Sequence, residues 1–390
     1  MDVEQLRQLR PELQTFLDRY RPLFGKDGNQ NNAEQFLQGL LAGGQRRNIE
    51  NIAEAMDGAP VRTLQKFISQ GCWDDREIIS ELRRHLVHAF GNEDAVINID
   101  ETGFPKKGTK SVGVKRQYSG TLGRVENCQI GVFANYWSSV GHAIMDRRLY
   151  LPEDWASDAP RREEAGVPSG VVFRTKPELG LEMIQEAVLA ETPFRWVGGD
   201  CVYGDNPTFV QGVRSLNKYY VLDIKSDTHV WTSQPTLRLG KSRGQSHQRP
   251  KAVEPSQPLT QVIANIPSTA WQRITVAPGS QGARVYEYVE LRVWFSEEGR
   301  PAAAPERLLI RRSLSQDPDI KLQRSNAPDD IPLEKVAQVG GTRWSIEQDF
   351  QAGKGECGLD EYETRGWIGW HHHTVLSILA LFFWHYNGIG

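Results

Sequence analysis

The sequence predicts a mixed α/β fold, a mixed sheet with flanking helices, preceded by a helical N-terminal part and interrupted by a β-rich insertion. Three observations predict it. Apolar residues recur at helical spacing up to about residue 92. Two buried-type runs, Ile97-Asn98-Ile99-Asp100 and Trp196-Val197-Gly198-Gly199-Asp200, read as short strands that each close on an aspartate. Between about Lys225 and Asp330 the alternation of helix and strand gives way to strand patterns alone, and helical patterns then return to the C-terminus.

Taken in order, Leu6, Leu9, Leu13, Phe16 and Leu17 are spaced as one helix face. Ala33–Leu41, Asn48–Met56, Val61–Ile68 and Asp75–Phe90 continue the helical series. Residues 1–92 are therefore expected to form a helical domain. It serves either as a DNA-recognition module, with Arg46, Arg47, Arg62 and Lys66 facing phosphates, or as a helical cap packed on the core; the spacing alone leaves both open. Ala95–Asp100, Asn127–Tyr136 and Gly141–Leu149 read as an antiparallel meander. A Pro- and charge-rich connector, Leu151–Ser169, leads to a helix over Pro177–Ala190 and to the buried strands Arg195–Asp200 and Tyr219–Ile224. The expected first part of the core is thus 93–224. The insertion, 225–330, shows strands at Trp271–Ala277, Arg284–Phe295, Arg307–Arg312 and Ile320–Gln323. The core resumes over 331–390 with helices at Pro332–Lys354 and Ile368–Tyr386.

Composition narrows the class. With 39% hydrophobic and 24% charged residues the chain is of ordinary globular type, not a disordered one. Acids and arginines interleave with leucine over Met1–Arg21, unlike a signal peptide. The longest apolar run, Thr374–Trp384, falls well short of the roughly 20 residues that span a bilayer, so no membrane association is expected. Cys72, Cys128, Cys201 and Cys357 are scattered without CxxC pairing, as reduced thiols of a cytoplasmic protein are. A net charge of −3 is unusual for a protein that grips DNA, but the basic residues cluster. Gly103–Arg124 holds Lys106, Lys107, Lys110, Lys115, Arg116 and Arg124 with no acid. Thr236–Lys251 holds Arg238, Lys241, Arg243, Arg249 and Lys251, again with none. Each stretch is either a phosphate-binding patch or a solvated charged face.

The chemistry concentrates on three acids. A strand built for burial has no reason to finish on a carboxylate unless something compensates the charge, and a divalent cation does so efficiently; the competing role is capping of the next helix or turn. Asp100 and Asp200 are two such residues, with Asp205 an alternative to the second. The third acid is Glu347, on a predicted helix where Arg343, Glu347 and Lys354 stand at i, i+4 and i+11, on one face. Three carboxylates suit Mg²⁺ or Mn²⁺, which keep water and phosphate as further ligands. Two such ions, about 3.5–4 Å apart, serve in-line phosphoryl transfer, with Asp100 bridging both and Asp200 and Glu347 each completing one. Arg343 and Lys354 would then hold phosphates beside the scissile bond. The run His371-His372-His373 does not predict a zinc site, since successive helical side chains point about 100° apart. Trp137, Trp231 and Trp344 are read as core residues before base-stacking ones.

These motifs also resemble the DDE transposases of bacterial insertion sequences, most closely insertion sequence family 701 within the group that shares a Tyr-Arg-Glu-Lys signature. The matching strings are Ile99-Asp100-Glu101-Thr102-Gly103-Phe104 with Lys106-Lys107-Gly108, Gly199-Asp200-Cys201-Val202-Tyr203-Gly204, Ser325-Asn326-Ala327-Pro328, Arg343-Trp344-Ser345-Ile346-Glu347 with Lys354, and Gly358-Leu359-Asp360 through Tyr362-Glu363. The resemblance implies an RNase H-like core, with Asp100, Asp200 and Glu347 as catalytic and metal-binding residues. It further implies a cut-and-paste enzyme that cleaves double-stranded DNA at transposon terminal inverted repeats and transfers the strand to target DNA, as a homodimer at the bacterial nucleoid. The signature's tyrosine does not carry over: its place is Gly340. Two other readings stay open, a catalytically silent transposase-derived DNA-binding regulator and a stand-alone RNase H-like nuclease.

Overall fold

A computed structural model describes residues 9–42, 46–56, 60–238, 250–277 and 282–388. The chain divides into two compact units, Met1–Phe194 with Trp344–Gly390, and Arg195–Arg343.

The first unit begins with helices α1 (Arg10–Asp18), α2 (Asp27–Leu41), α3 (Ile49–Ala55), α4 (Val61–Gln70) and α5 (Asp75–Phe90). Asn48 and Asp74 start α3 and α5 as side-chain caps on the orphan backbone N–H groups of Asn51 and Arg76. Each helix buries one stripe, for instance Leu64, Phe67 and Ile68 of α4. There follow β1 (Val96–Pro105), β2 (Lys115–Ser119), β3 (Arg124–Trp137) and β4 (His142–Leu149). β1 runs antiparallel to β3 from Val96↔Trp137 to Pro105↔Cys128. On the other edge of β3, β2 pairs along Arg124–Cys128 and β4 along Gly131–Trp137. Two short helices, α6 (Glu153–Ala156) and α7 (Ala159–Glu164), occupy the expected connector. α8 (Lys176–Leu189) then opens on a capping box between Thr175 and Glu178.

The second unit starts with β5 (Trp196–Gly199), the short α9 (Cys201–Gly204), α10 (Pro207–Ser215) and β6 (Tyr219–Ile224), with β5 and β6 parallel. Strands β7 (His229–Trp231), β8 (Leu237–Arg238), β9 (Lys251–Ala252) and β10 (Gln257–Pro258) lead to helix α11 (Leu259–Ala264). Then come β11 (Gln272–Ala277), β12 (Arg284–Glu297), β13 (Arg300–Pro301), β14 (Glu306–Arg312), β15 (Ile320–Ser325) and α12 (Leu333–Gly341). β6 pairs antiparallel with β15, β15 with β14 and β14 with β12, so one sheet runs on from the strand expected in the core into strands expected in the insertion. A buried charge cluster joins those strands: the Tyr220 hydroxyl donates to Glu306 Oε2 at 2.6 Å, and Arg324 and Arg214 both pair with Glu306.

The chain returns to the first unit as α13 (Trp344–Cys357) and α14 (Trp367–Tyr386). Every residue of α14 from Gly369 to Trp384 is buried, so this helix is the unit's core. Among the described residues no helix is long and apolar enough to cross a membrane.

The fold is α/β with flanking helices. Its order of antiparallel meander (β1, β3, β4), helix, strand, helices and a strand parallel to the last is the RNase H-like order expected. Two local expectations are corrected. Asp100 does not end its strand, because the β1–β3 ladder continues five residues beyond it to Pro105. The predicted helix Pro332–Lys354 is two helices. It breaks after Gly340-Gly341, a pair of weak helix formers, where Thr342 turns both its N–H and its hydroxyl onto the Val339 carbonyl.

The N-terminal helices are bound to the meander by buried charge. Arg147 of β4, with no exposed side-chain surface, pairs with Asp75 of α5 and donates to the His371 carbonyl at 3.1 Å, and Arg83 of α5 donates to Asp146 at 3.0 Å. Burial opposes ionisation of Asp75, but the Arg147 guanidinium together with His371 and His372 outweighs it and holds the carboxyl at about 2. Asp75→Ala leaves a buried guanidinium unpaired and is expected to cost about 3–5 kcal/mol in urea unfolding. Since the folded carboxyl titrates below its unfolded value, this contribution is complete above about pH 4 and is lost as pH falls through about 2. A pH series in urea should show that loss in the wild type and not in the variant.

Candidate active site

Asp100 lies in mid-strand on the face of β1 that also carries Asn98 and Thr102, since alternate residues share a face. Asn98 and Thr102 are buried and Asp100 is half-buried, with Oδ1 accepting the Glu101 N–H at 2.7 Å. Directly opposite, β3 presents Asn135, Phe133 and Gly131.

Helix α13 covers this face in register. Ser345 Oγ donates to Asn135 Oδ1 at 2.8 Å, and the same oxygen takes the Asn98 amide at 3.3 Å. Phe350 meets Phe133, the residue opposite Asp100, with ring centroids 5.3 Å apart. Lys354 Nζ donates to Thr102 Oγ1 at 2.8 Å and to the Gly103 carbonyl at 3.3 Å. Nine residues of helix and four residues of strand both span about 13 Å, so helix and strand advance together. Glu347 stands two residues past Ser345 and three before Phe350, so along the strand it falls between the levels of Asn98 and Asp100. It lies only about 20° around the axis from Lys354, which reaches β1. Glu347 is exposed.

Lys354, expected on a DNA phosphate, is half-buried and bonded to β1. Burial lowers its pKa. α13 begins at Trp344, so Arg343 is not on the helix with Glu347 as expected; it stands in the preceding turn with Nε 3.5 Å from Asp223 Oδ2.

Asp200 follows β5, and its Oδ1 caps α9 through the Val202 N–H at 2.9 Å. The capping role weighed for this carboxylate is thus one it does perform. The turn needs glycine at 204, because a Cβ there would meet the Asp223 carbonyl oxygen at 2.0 Å. Asp205, the alternative acid, is engaged by the Lys225 N–H at 3.3 Å and the Thr228 hydroxyl at 3.2 Å, and burial raises its pKa. Asp100, Glu347 and Lys354 belong to the first unit, Asp200 and Arg343 to the second.

The basic candidates separate into two kinds. Lys106 sits over the Tyr362 ring at 3.4 Å and donates to the Tyr362 carbonyl, and burial brings its pKa down to about 7. Lys110, Lys115 and Arg124 are exposed but paired with Glu164, Asp154 and Glu126. Lys107 and Arg116 are exposed. Lys241 and Arg243 lie outside the described residues. In the N-terminal helices Arg62, Lys66 and Arg46 are exposed, whereas Arg47 is buried and donates to the Leu40 and Gly355 carbonyls, so it does not face solvent phosphate.

Sequence reasoning missed the residues that seat α13: Asn98, Asn135, Ser345 and Asp349. The available signals were polar residues inside apolar strands, and Ser345 and Asp349 at i, i+4 on the side of the helix turned away from Glu347. Each histidine of the run 371–373 reaches a different backbone carbonyl: Trp367 for His371, Ile68 and Trp73 for His372, Gly358 for His373.

Thr102→Val removes the hydroxyl that accepts from Lys354. It is expected to destabilise the first unit by about 1–3 kcal/mol, the cost of an unmet buried donor. It should also depress metal-dependent nuclease activity in folded protein, because α13 loses its tie beside Asp100. Unchanged melting and activity would remove Lys354 from this structural role.

The sequence profile described as a DDE superfamily endonuclease matches residues 19–283, a span that includes Asp100 and Asp200 and stops short of Glu347. A curated relative, the "Probable transposase for insertion sequence element IS701" of Microchaete diplosiphon, is 26% identical over 193 residues. The match covers 49% of this chain and 48% of the relative, so the chain spans about half the length of the protein it resembles.

Proposed function

We propose that this chain, which belongs to the DDE superfamily endonucleases, is a transposase that cuts double-stranded DNA at the terminal inverted repeats of an insertion sequence and joins the freed end to target DNA. Enzymes of this family depend on a divalent metal. The observation that carries the proposal is the register of α13 along β1: its contacts opposite Asn98 and at Thr102 bracket Asp100 on the strand and Glu347 on the helix.

Asp100, Asp200 and Glu347 would hold two Mg²⁺ or Mn²⁺ ions, and the donor set fits, since it is made of carboxylate oxygens alone. Bound there, the ions would lower the pKa of an attacking water or 3′-hydroxyl and neutralise charge on the leaving oxygen. The residues of the chain position and exclude. Asn98 and Thr102, buried on the same strand face, flank Asp100. The Lys354–Thr102 bond and the Ser345–Asn135 bond clamp the helix that carries Glu347 at both ends. Exposed Lys107 and Arg116 supply positive charge for DNA phosphates. The same reading makes the working enzyme a homodimer on DNA at the bacterial nucleoid.

The test is cleavage of labelled DNA containing the sequences that flank this gene, with Mg²⁺ or Mn²⁺. Glu347→Gln, Asp100→Asn and Asp200→Asn should each lower nicking by about 10²–10³-fold or more while keeping DNA binding, as expected for loss of a few kcal/mol of charge stabilisation. Asp205→Asn should leave nicking within a few-fold. Binding without cleavage by the wild type would favour a regulator, and cleavage without strand transfer a nuclease. Lys107→Ala and Arg116→Ala should each lower the slope of log K against log salt by about 1. An unchanged slope would exclude them as phosphate contacts.

A further inference from the structure

We propose that His142, Asp349 and His385 form a second metal site, distinct from the three carboxylates and suited to a zinc-type ion. All three lie in the first unit: His142 opens β4, Asp349 is on the buried side of α13, and His385 is in the last turn of α14. His142 Nδ1 and His385 Nε2 lie 2.9 and 3.0 Å from the same oxygen, Asp349 Oδ1, and the three ligand atoms are all within 4.8 Å of one another. Tetrahedral ligands about 2.0–2.1 Å from one ion stand about 3.3 Å apart, close to the distance of each ring nitrogen from Asp349 Oδ1.

Three further observations distinguish this cluster from a chance gathering. Asp349 has no exposed surface, and its described partners are two imidazoles and an amide, with no lysine or arginine to balance a buried carboxylate. A divalent cation would supply that balance. The other carboxylate oxygen, Oδ2, is already fixed by the Asn135 amide at 2.6 Å, and Asn135 is itself held by Ser345 and Asn98. An outer layer of this kind orients ligands ahead of a metal. The two imidazoles keep 16% and 19% of their side-chain surface, so an ion and a water ligand can enter, while the Trp344 ring stands edge-on to His142 with centroids 5.5 Å apart. Without metal, both rings present N–H to Oδ1; with metal, both would present a lone pair, re-aimed from Oδ1 toward the ion. The ion would tie β4, α13 and α14 together two residues from Glu347. Two nitrogens with one carboxylate favour zinc over magnesium, so this site and the carboxylate site would select different ions.

The test uses the full chain with Asp100→Asn, Asp200→Asn and Glu347→Gln in place, so that the catalytic carboxylates hold nothing. After incubation with zinc chloride and desalting, elemental analysis should find about one zinc per chain. His142→Gln or His385→Gln in that background should lose it. Glutamine still donates a hydrogen bond to Asp349, so these variants should melt as the parent does in EDTA, and only the parent should gain melting temperature with zinc. Should the glutamine variants fail to fold, visible absorption of the cobalt-loaded parent decides, with d–d bands of a nitrogen-coordinated ion expected. No retained zinc and no cobalt bands, or equal zinc in parent and variants, would overturn the site and leave Asp349 a hydrogen-bonded anchor only.

Discussion

The first unit depends on a constraint set by burial: a carboxylate with no exposed surface must have every acceptor position met. Asp349 meets it by drawing on three elements at once, through Asn135 of β3, His142 of β4 and His385 of α14. Hydrogen bonds have direction and fixed length, so α13 has one place to sit on the meander, where apolar packing alone would tolerate sliding. Ser345 bonds to Asn135 from the same side, and Lys354 reaches Thr102 nine residues on. The helix is held at both ends, and the exposed Glu347 takes its place along the strand from those bonds.

How much of this was legible follows from what each signal measures. Hydrophobic period reports which face of an element is buried, and it found the five N-terminal helices, the meander and the strands β11, β12, β14 and β15. It does not report where a hydrogen-bonded ladder stops, so Asp100 read as a strand end although β1 runs on through Thr102 and Phe104 to Pro105. Nor does it resolve a break that keeps the helical phase roughly intact. Arg343 and Glu347 are four apart in sequence, which suggested one helix face, yet Thr342 ends the first helix before Arg343 is reached. Charge is read with the same blind spot. Lys106 and Lys354 count as basic residues in sequence, but a ring face, backbone carbonyls and a threonine hydroxyl engage them inside the fold.

The missing tyrosine of the signature has a physical account within the second unit. Gly340 packs so closely on β15 that a Cβ there would meet Gln323 Oε1 at 2.6 Å. Gln323 is itself buried, and its amide donates to Asp223 Oδ1 at 2.8 Å, while Asp223 Oδ2 faces Arg343. A glutamine and an aspartate therefore fill the space beside the signature arginine, and a larger residue at 340 requires the Gln323 side chain to move. Gly340 is the side of this arrangement visible in the sequence. Gln323, on a strand seventeen residues earlier, is the side that no spacing rule connects to it.

A net charge of −3 does not by itself oppose a DNA-binding role, because charge acts locally and is unevenly spread over the chain. Formal charge weighs every arginine equally, but Arg47, Arg83, Arg147, Arg148, Arg307 and Arg324 are buried, most of them against Glu356, Asp146, Asp75, Glu290 and Glu306. Such pairs cancel at short range and project little field into solvent. What a phosphate backbone would meet is the exposed remainder, and there Lys107, Lys110, Lys115, Arg116 and Arg124 fall within eighteen residues of one another around the β2–β3 hairpin. Three of these have carboxylate partners at the surface, where an ion pair is worth at most about 1 kcal/mol. An approaching phosphate can displace such partners cheaply. A near-neutral chain can therefore present a basic strip, and the proposed grip on DNA would rest on local geometry more than on total charge.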